Sequence, residues 1–143
     1  MNITELKQLG AIYIENVTDG LRKYSNQILK LEEKEAYLLL EEKCKDHNWK
    51  DVYADFYYHT FEREVQEKIE AHLSESEVNF IRDMCAGKDK EDLIFPLNEQ
   101  LLSVIAKLNA EAALFSTIYF VGSPRSTWWG NYNKEYVVFN ENE

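Results

Sequence analysis

The cleanest apolar pattern in the chain lies in residues 49–73, WKDVYADFYYHTFEREVQEKIEAHL. Apolar side chains recur there at steps of three and four, the spacing of one face of an α-helix. The pattern predicts a helix of about seven turns at the centre of the core. Phe56, Phe61, Val65 and Ile69 are expected inside that core. The full stripe comprises Trp49, Val52, Tyr53, Phe56, Tyr57, Phe61, Val65, Ile69, His72 and Leu73.

The segment before this pattern also has helical spacing. Residues 3–31 carry apolar side chains at steps of three and four, which predicts a first amphipathic helix. The turn-favouring pair Asp19–Gly20 could split that helix in two. An alternative assigns residues 11–17 to a strand, because this segment contains Ile12 and Ile14, and β-branched residues favour strands. The acid-rich residues 32–46 predict a second helix.

Two more helices are predicted after the long one. Ser74 and Glu77 have the spacing of a capping box, in which each side chain caps the backbone of the other residue. They predict the start of a helix that would end near Gly87. Residues 96–114 predict a further helix, because proline is tolerated in a first helical turn.

The chemistry of the chain changes after residue 114. Residues 115–121 are β-branched and aromatic, and a turn follows them, which predicts a strand and a reversal. Residues 126–132 and 135–140 predict a hairpin around Asn133-Lys134. A small antiparallel sheet of this kind would have to pack on the helices.

These elements predict an α+β fold within a single domain, residues 1–143. Residues 1–114 would form a helical body of four to five helices. Residues 115–143 would follow as a C-terminal three-stranded antiparallel β-meander packed on that body.

Charge restricts the classes of partner. The chain has 143 residues, of which 16 are basic and 26 acidic, so its net charge is −10. Residues 32–92 hold most of that excess, with nine basic and eighteen acidic residues. Such a charge disfavours direct binding to nucleic acid or to an anionic membrane, and it favours a basic protein partner.

The sequence also suggests a compartment. It shows no signal peptide and no apolar run long enough to span a bilayer, so a cytoplasmic location is expected. Cys44 and Cys85 are isolated and predict reduced structural thiols.

Catalytic and metal sites have little support in the sequence. Asp55, His59 and Glu62 would share one face of the predicted long helix, but that face lies opposite the core stripe. We therefore expect a solvated surface with no metal and no cofactor. The chain contains none of the common nucleophile, phosphate-binding or metalloprotease motifs, so no catalytic residue is predicted and a non-enzymatic role is favoured.

A cluster of aromatic residues near Arg125 is the strongest candidate for a binding surface. Trp128 and Trp129 are consecutive, so in a strand they point to opposite faces and a thin sheet would bury only one of them well. With Tyr132, they belong to the residue types that often dominate protein interfaces. The alternative is that both tryptophans are structural, in the core, under a loop or in a homodimer.

The predicted function combines this cluster with the acidic surface, represented by Glu64 and Glu67. Such a surface would steer a basic protein towards the chain. We therefore expect a small cytoplasmic inhibitor that occludes a basic partner, such as an immunity protein to a toxin or a phage-type inhibitor of a host defence protein. The alternative is a hydrolase or small-ligand-binding protein that uses the Asp55/His59 face or the Arg125 loop. A structural or oligomerisation module is the third possibility.

Overall fold

The computed structural model describes residues 1–142, in which helices and strands alternate along the chain. The helices are α1 (Ile3–Gln8), α2 (Val17–Lys23), α3 (Glu33–Asp46), α4 (Arg63–Glu70), α5 (Glu75–Cys85) and α6 (Glu99–Ala110), with a 3-10 turn at Tyr58–Thr60. The strands are β1 (Ser25–Lys30), β2 (Val52–Asp55), β3 (Ile94–Pro96), β4 (Thr117–Phe120), β5 (Ser126–Gly130) and β6 (Glu135–Asn140). All six strands form one antiparallel sheet in the order β1-β6-β5-β4-β2-β3.

The predicted architecture of a helical body followed by a three-stranded meander is wrong. Across residues 1–142 there are six helices, and half of the six-stranded sheet comes from the segment assigned to helices. β4, β5 and β6 do pair in sequence order, but β1 extends them on one side, and β2 and β3 on the other. Glu143, the last residue of the predicted meander, lies outside the described residues.

The long helix predicted over residues 49–73 does not exist. Its first part forms β2 and the 3-10 turn, and only its last part forms a helix, α4. Side chains on both faces of β2 are largely buried, so the strand lacks the alternation of apolar and polar residues that would have revealed it. Phe56 and Ile69 are buried, as expected. Phe61 and Val65 are 37% and 39% exposed, so their predicted burial is wrong.

The N-terminal stripe is also divided among several elements. α1 ends at Gln8, and residues 11–16 then run along the sheet without a strand's hydrogen-bond pattern. The pair Asp19–Gly20 lies inside α2 and does not break it. A Cβ on Gly20 would stand 2.9 Å from the Phe139 ring, so glycine lets this helix approach the sheet closely. The remainder of the stripe forms β1.

Predictions that depend on local signals agree better with the structure. The acid-rich helix is α3, and α5 begins with the expected Ser74–Glu77 capping box. The helix predicted from residue 96 is shorter, because Pro96 ends β3 and α6 begins after the cap residue Asn98. The hairpin turn contains Asn133 and Lys134, and both have positive φ angles.

The two faces of the sheet are covered differently. Helices α3 and α6 contribute to the main core on the first face, which includes Leu40, Leu101, Ile105, Phe120, Trp128 and Val138. The N-terminal segment covers part of the second face, where Ile12 and Ile14 pack against Val137 and Phe139. Thr127 fastens this segment by donating a 2.6 Å hydrogen bond to the Ile12 carbonyl. Within residues 1–142, no helix combines the length and apolar composition needed to cross a membrane.

Candidate functional site

A cavity of about 340 Å³ opens on the second face of the sheet, near the ends of β2, β4 and β5. We call it the Asp55 cavity. Its lining comes from the N-terminal segment, from β2, β4 and β5, and from residues close to the ends of these three strands. The lining residues are Tyr13, Ile14, Glu15, Asp55, Tyr57, Phe115, Thr117, Tyr119, Trp129, Gly130 and Asn131.

Asp55 owes its position to the alternation of side chains along β2. Val52 and Ala54 join the main core on the first face, so Asp55, the last residue of the strand, faces the cavity side. Ala54 pairs with Ile118 on β4, which brings the backbone of Thr117 beside Asp55. The Thr117 amide donates a 2.8 Å hydrogen bond to Asp55 Oδ1.

The carboxyl group of Asp55 is nine-tenths buried, with 8% of the residue exposed. No other residue in the described range 1–142 donates a hydrogen bond to it, so Oδ2 has no protein partner. Burial raises the pKa of Asp55 to about 7, although the Thr117 amide opposes that rise. This group therefore exchanges a proton near neutral pH.

Aromatic side chains surround this carboxyl. Tyr13 and Tyr119 stack with their ring centroids 6.3 Å apart. Burial, followed by the charge of Asp55, raises the pKa of Tyr57 to about 12 and also raises the pKa values of Tyr119 and Tyr13. The three phenols are therefore neutral at physiological pH and offer ring faces and hydroxyl groups. Trp129 and Phe115 complete the aromatic lining.

The charge of the lining is entirely negative. Asp55 and Glu15 carry its only charged side chains, and no Lys, Arg or His belongs to it. Lys7 lies at the rim, where its Nζ is 3.8 Å from Glu15 and 4.8 Å from the centre of the Tyr13 ring. The carboxylate of Asp55 has no such cationic partner: burial and the Thr117 amide account for its pKa.

The structure separates the aromatic residues that the sequence grouped together. Trp129 lines the cavity. Trp128 is on the other face, only 5% exposed, with its ring centroid 6.3 Å from that of Tyr136. Tyr132 is 64% exposed and contacts the edge of Phe115, a lining residue.

Arg125 has a visible structural role. Its Nε donates a 2.7 Å hydrogen bond to Glu141, and its Nη1 donates one of the same length to the Gly10 carbonyl. Arg125 thus connects the turn before β5 with Gly10 in the N-terminal segment and with Glu141 after β6. Glu64 and Glu67 are exposed on α4, and neither belongs to the cavity lining.

The predicted face of Asp55, His59 and Glu62 is wrong, because the helix on which it depended is absent. His59 lies in the 3-10 turn, with Nε2 3.0 Å from the Asp89 carbonyl oxygen, and Glu62 caps α4. Only Asp55 lines the cavity. Across residues 1–142, no three or more His, Cys, Asp or Glu side chains are grouped so that they could hold a metal ion.

A second polar cluster fastens α4 to α5. Glu70 accepts hydrogen bonds of 2.7 and 2.9 Å from Arg63 and one of 2.9 Å from Arg82, and it also accepts one from the Tyr58 hydroxyl. The Arg63 guanidinium, with help from the other two donors, lowers the pKa of Glu70 to about 2 although burial opposes this. This cluster is explained as an internal brace, in which two guanidinium groups share one carboxylate.

Most of the cavity lining gives no signal in the sequence. Tyr13, Glu15, Tyr57, Thr117 and Tyr119 belong to no motif, and distant segments bring them together. One signal was present: Asp55 stands alone among apolar and aromatic residues in VYADFYY, residues 52–58. A lone carboxylate in such a run is expensive to bury, which makes it a candidate for function.

The chain matches no family model, and comparison with curated proteins and with solved structures gives no significant match.

Proposed function

We propose that the protein binds a small organic ligand in the Asp55 cavity. The observation that supports this best is the buried Asp55 carboxyl, which lines the cavity and has an oxygen without a protein partner. Oδ2 is not fully enclosed by protein and opens to the cavity, so a ligand donor can reach this acceptor. The volume of about 340 Å³ lies in the range of small-molecule sites, and five of the eleven lining residues are aromatic.

Binding is favoured over hydrolysis by the composition of the lining. A nucleophilic mechanism needs a nucleophile within reach of a general base. The lining contains a carboxyl that titrates near neutral pH but no Ser, Cys or His, and neither the Thr117 hydroxyl nor a tyrosine hydroxyl of the lining is hydrogen-bonded to that carboxyl. Its groups are suited to hydrogen bonding and stacking, so we assign no catalytic residue.

Thermal unfolding tests this proposal. We would measure it at about pH 8 with a panel of aromatic cations, neutral compounds and anions of similar size. At least one class should raise the unfolding midpoint, because a ligand at about 100 times its Kd stabilises a protein by about 2.7 kcal/mol. Trp129→Leu, which removes a lining ring, should abolish the increase. Phe61→Leu, an aromatic change at an exposed position outside the lining, should leave it intact.

The proposal would be wrong if no compound stabilised the wild type. It would also be wrong if Trp129→Leu and Phe61→Leu retained the same increase, since the ligand would then bind outside the cavity.

A second candidate is the inhibitor of a basic protein expected from the sequence, of the immunity or phage type. The surface around α4 favours it: Phe61 and Val65 are exposed apolar side chains with Glu64 and Glu67 beside them in the chain. Exposed apolar groups with charged neighbours are typical of protein interfaces. In this case the partner would dock on α4.

Association kinetics test this second candidate once a pull-down has identified a partner. Combining Glu64→Gln with Glu67→Gln should slow association by about two- to tenfold and weaken its salt dependence, with little change in dissociation. The matched control combines Glu33→Gln with Glu42→Gln on α3, which removes the same charge elsewhere. Equal slowing in both pairs would exclude docking on α4 and leave only an effect of net charge.

A further inference from the structure

Within residues 1–142, no cationic side chain is paired with the Asp55 carboxylate. Surface carboxylates such as Glu15 and Glu141 lie beside cationic side chains, at 3.8 Å from Lys7 and 2.7 Å from Arg125 respectively. Asp55 is more deeply buried than either, yet it has a single backbone amide as its partner. A buried carboxylate is normally paired with a cation, because desolvation of the charge is costly.

The walls of the cavity are suited to a cation. Tyr57, Tyr119 and Trp129 line it, and aromatic ring faces attract cations through their quadrupole. The structure contains this interaction at the rim, where the Lys7 ammonium lies over the Tyr13 ring. The lining carries two carboxylates and no positive side chain, so it would repel an anion.

We infer that the ligand of the Asp55 cavity is a small organic cation with N–H donors, an ammonium or amidinium group attached to an apolar body. This inference rests on the proposed function. The N–H group of the cation would donate to Asp55 Oδ2, and the apolar body would lie against Tyr57, Tyr119 and Trp129. The ligand would supply the missing positive charge.

Binding of a cation should depend on pH in a defined direction. The groups that face Asp55 are Tyr13 and Glu15 from the N-terminal segment, Tyr57 after β2, and Thr117 and Tyr119 from β4. The three phenols stay neutral, because burial and the charge of Asp55 raise their pKa values. Asp55, with its pKa raised to about 7, therefore controls the profile, and cation affinity should increase as pH rises through that value.

Three probes with the same ring separate charge from shape: benzamidine as the cation, benzamide as its neutral isostere, and benzoate as the anion. Their affinities would be measured by calorimetry. Benzamidine should bind at least about tenfold more tightly than benzamide, since hydrogen bonds to charged groups are the stronger ones. Benzoate should show no binding. Benzamidine affinity should rise about tenfold between pH 6 and pH 8 as Asp55 ionises.

Two variants locate the effect. Asp55→Asn keeps an acceptor for the Thr117 amide but removes the charge, and it should lower benzamidine affinity about tenfold and abolish its pH dependence. Glu33→Gln removes an exposed carboxylate on α3, outside the cavity lining, and it should change the affinity less than about threefold.

The failures are distinguishable. If benzamide or benzoate binds as well as benzamidine, or if Asp55→Asn binds benzamidine like the wild type, the cation inference is overturned while the cavity remains a ligand site. If benzamidine does not bind at millimolar concentration but other members of the thermal panel do, the same conclusion holds. If nothing in either set binds, both the inference and the proposed function fail.

Discussion

Replacing Phe56 with alanine should lower the free energy of unfolding by about 3–5 kcal/mol, the usual cost of truncating a fully buried phenylalanine. Phe56 has no exposed surface and packs in the main core, with its ring centroid 6.4 Å from that of Tyr58. Its backbone amide also donates to the Leu93 carbonyl, next to β3, so the ring is held where β2 ends. Chemical denaturation would measure the loss.

Phe61→Ala is the matched control, and it should change the free energy of unfolding by less than about 1 kcal/mol. Phe61 is exposed, since the chain turns between the two phenylalanines before α4 begins. In a single helix over residues 49–73 both rings would belong to one buried stripe, and the two variants would lose similar stability. Equal losses would therefore contradict the sheet and support the long helix.

Asp55→Asn should change the free energy of unfolding more favourably at about pH 8 than at about pH 4. The difference between the two effects should be on the order of 4 kcal/mol. Burial raises the folded-state pKa from an ordinary 3.8 to about 7. Between these values the folded protein holds a proton that the unfolded chain has released. The stability of the wild type should therefore fall as pH rises through this window, and above it the penalty of a buried charge is fully present.

The quantity to compare is the difference in free energy of unfolding between the wild type and Asp55→Asn, measured at each pH. Glu70 acts in the opposite direction: its pKa is lowered to about 2, so its contribution is lost as pH falls from about 4.5 towards that value. Both proteins contain Glu70, and subtraction removes its effect. If the difference in free energy of unfolding between the wild type and Asp55→Asn did not vary with pH, the carboxyl of Asp55 would not be desolvated. That result would contradict the burial on which the proposed ligand site depends.

The same variant connects stability with binding. Asp55→Asn is expected to fold at least as well as the wild type, so loss of benzamidine binding in it would not reflect unfolding. A buried ionised carboxylate lowers the stability of the folded protein, and destabilising groups of this kind are common at functional positions.

The elements that could be predicted from the sequence are those specified by interactions between residues only a few positions apart. The Ser74–Glu77 capping box starts α5, and the stripe in residues 32–46 forms α3. The Asn133-Lys134 pair adopts the positive φ angles that a tight hairpin turn requires. Each of these depends on contacts between residues no more than about four apart, so the local chain is sufficient to specify it.

Strands β1, β2 and β3 depended instead on partners far along the chain. β1 pairs with β6 over its full length, and β2 lies between β3 and β4. The apolar residues of β1 and β2 also fit a helical spacing. β2 is covered on both faces and lacks the alternation that would distinguish it, whereas β1 is exposed along most of its length, so no buried face marks it as a strand. Distant hydrogen-bond partners therefore selected the strand over the helix.

The acidic charge and the lack of a common catalytic motif were visible in the sequence, and so was the isolated aspartate in VYADFYY. The cavity was not visible, because Tyr13, Asp55, Thr117 and Trp129 come from four separate segments that only the sheet aligns. Composition determines the net charge of a protein and local pattern determines its caps and turns. The depth at which Asp55 is buried, and the oxygen it leaves free, arise only when those segments pack together.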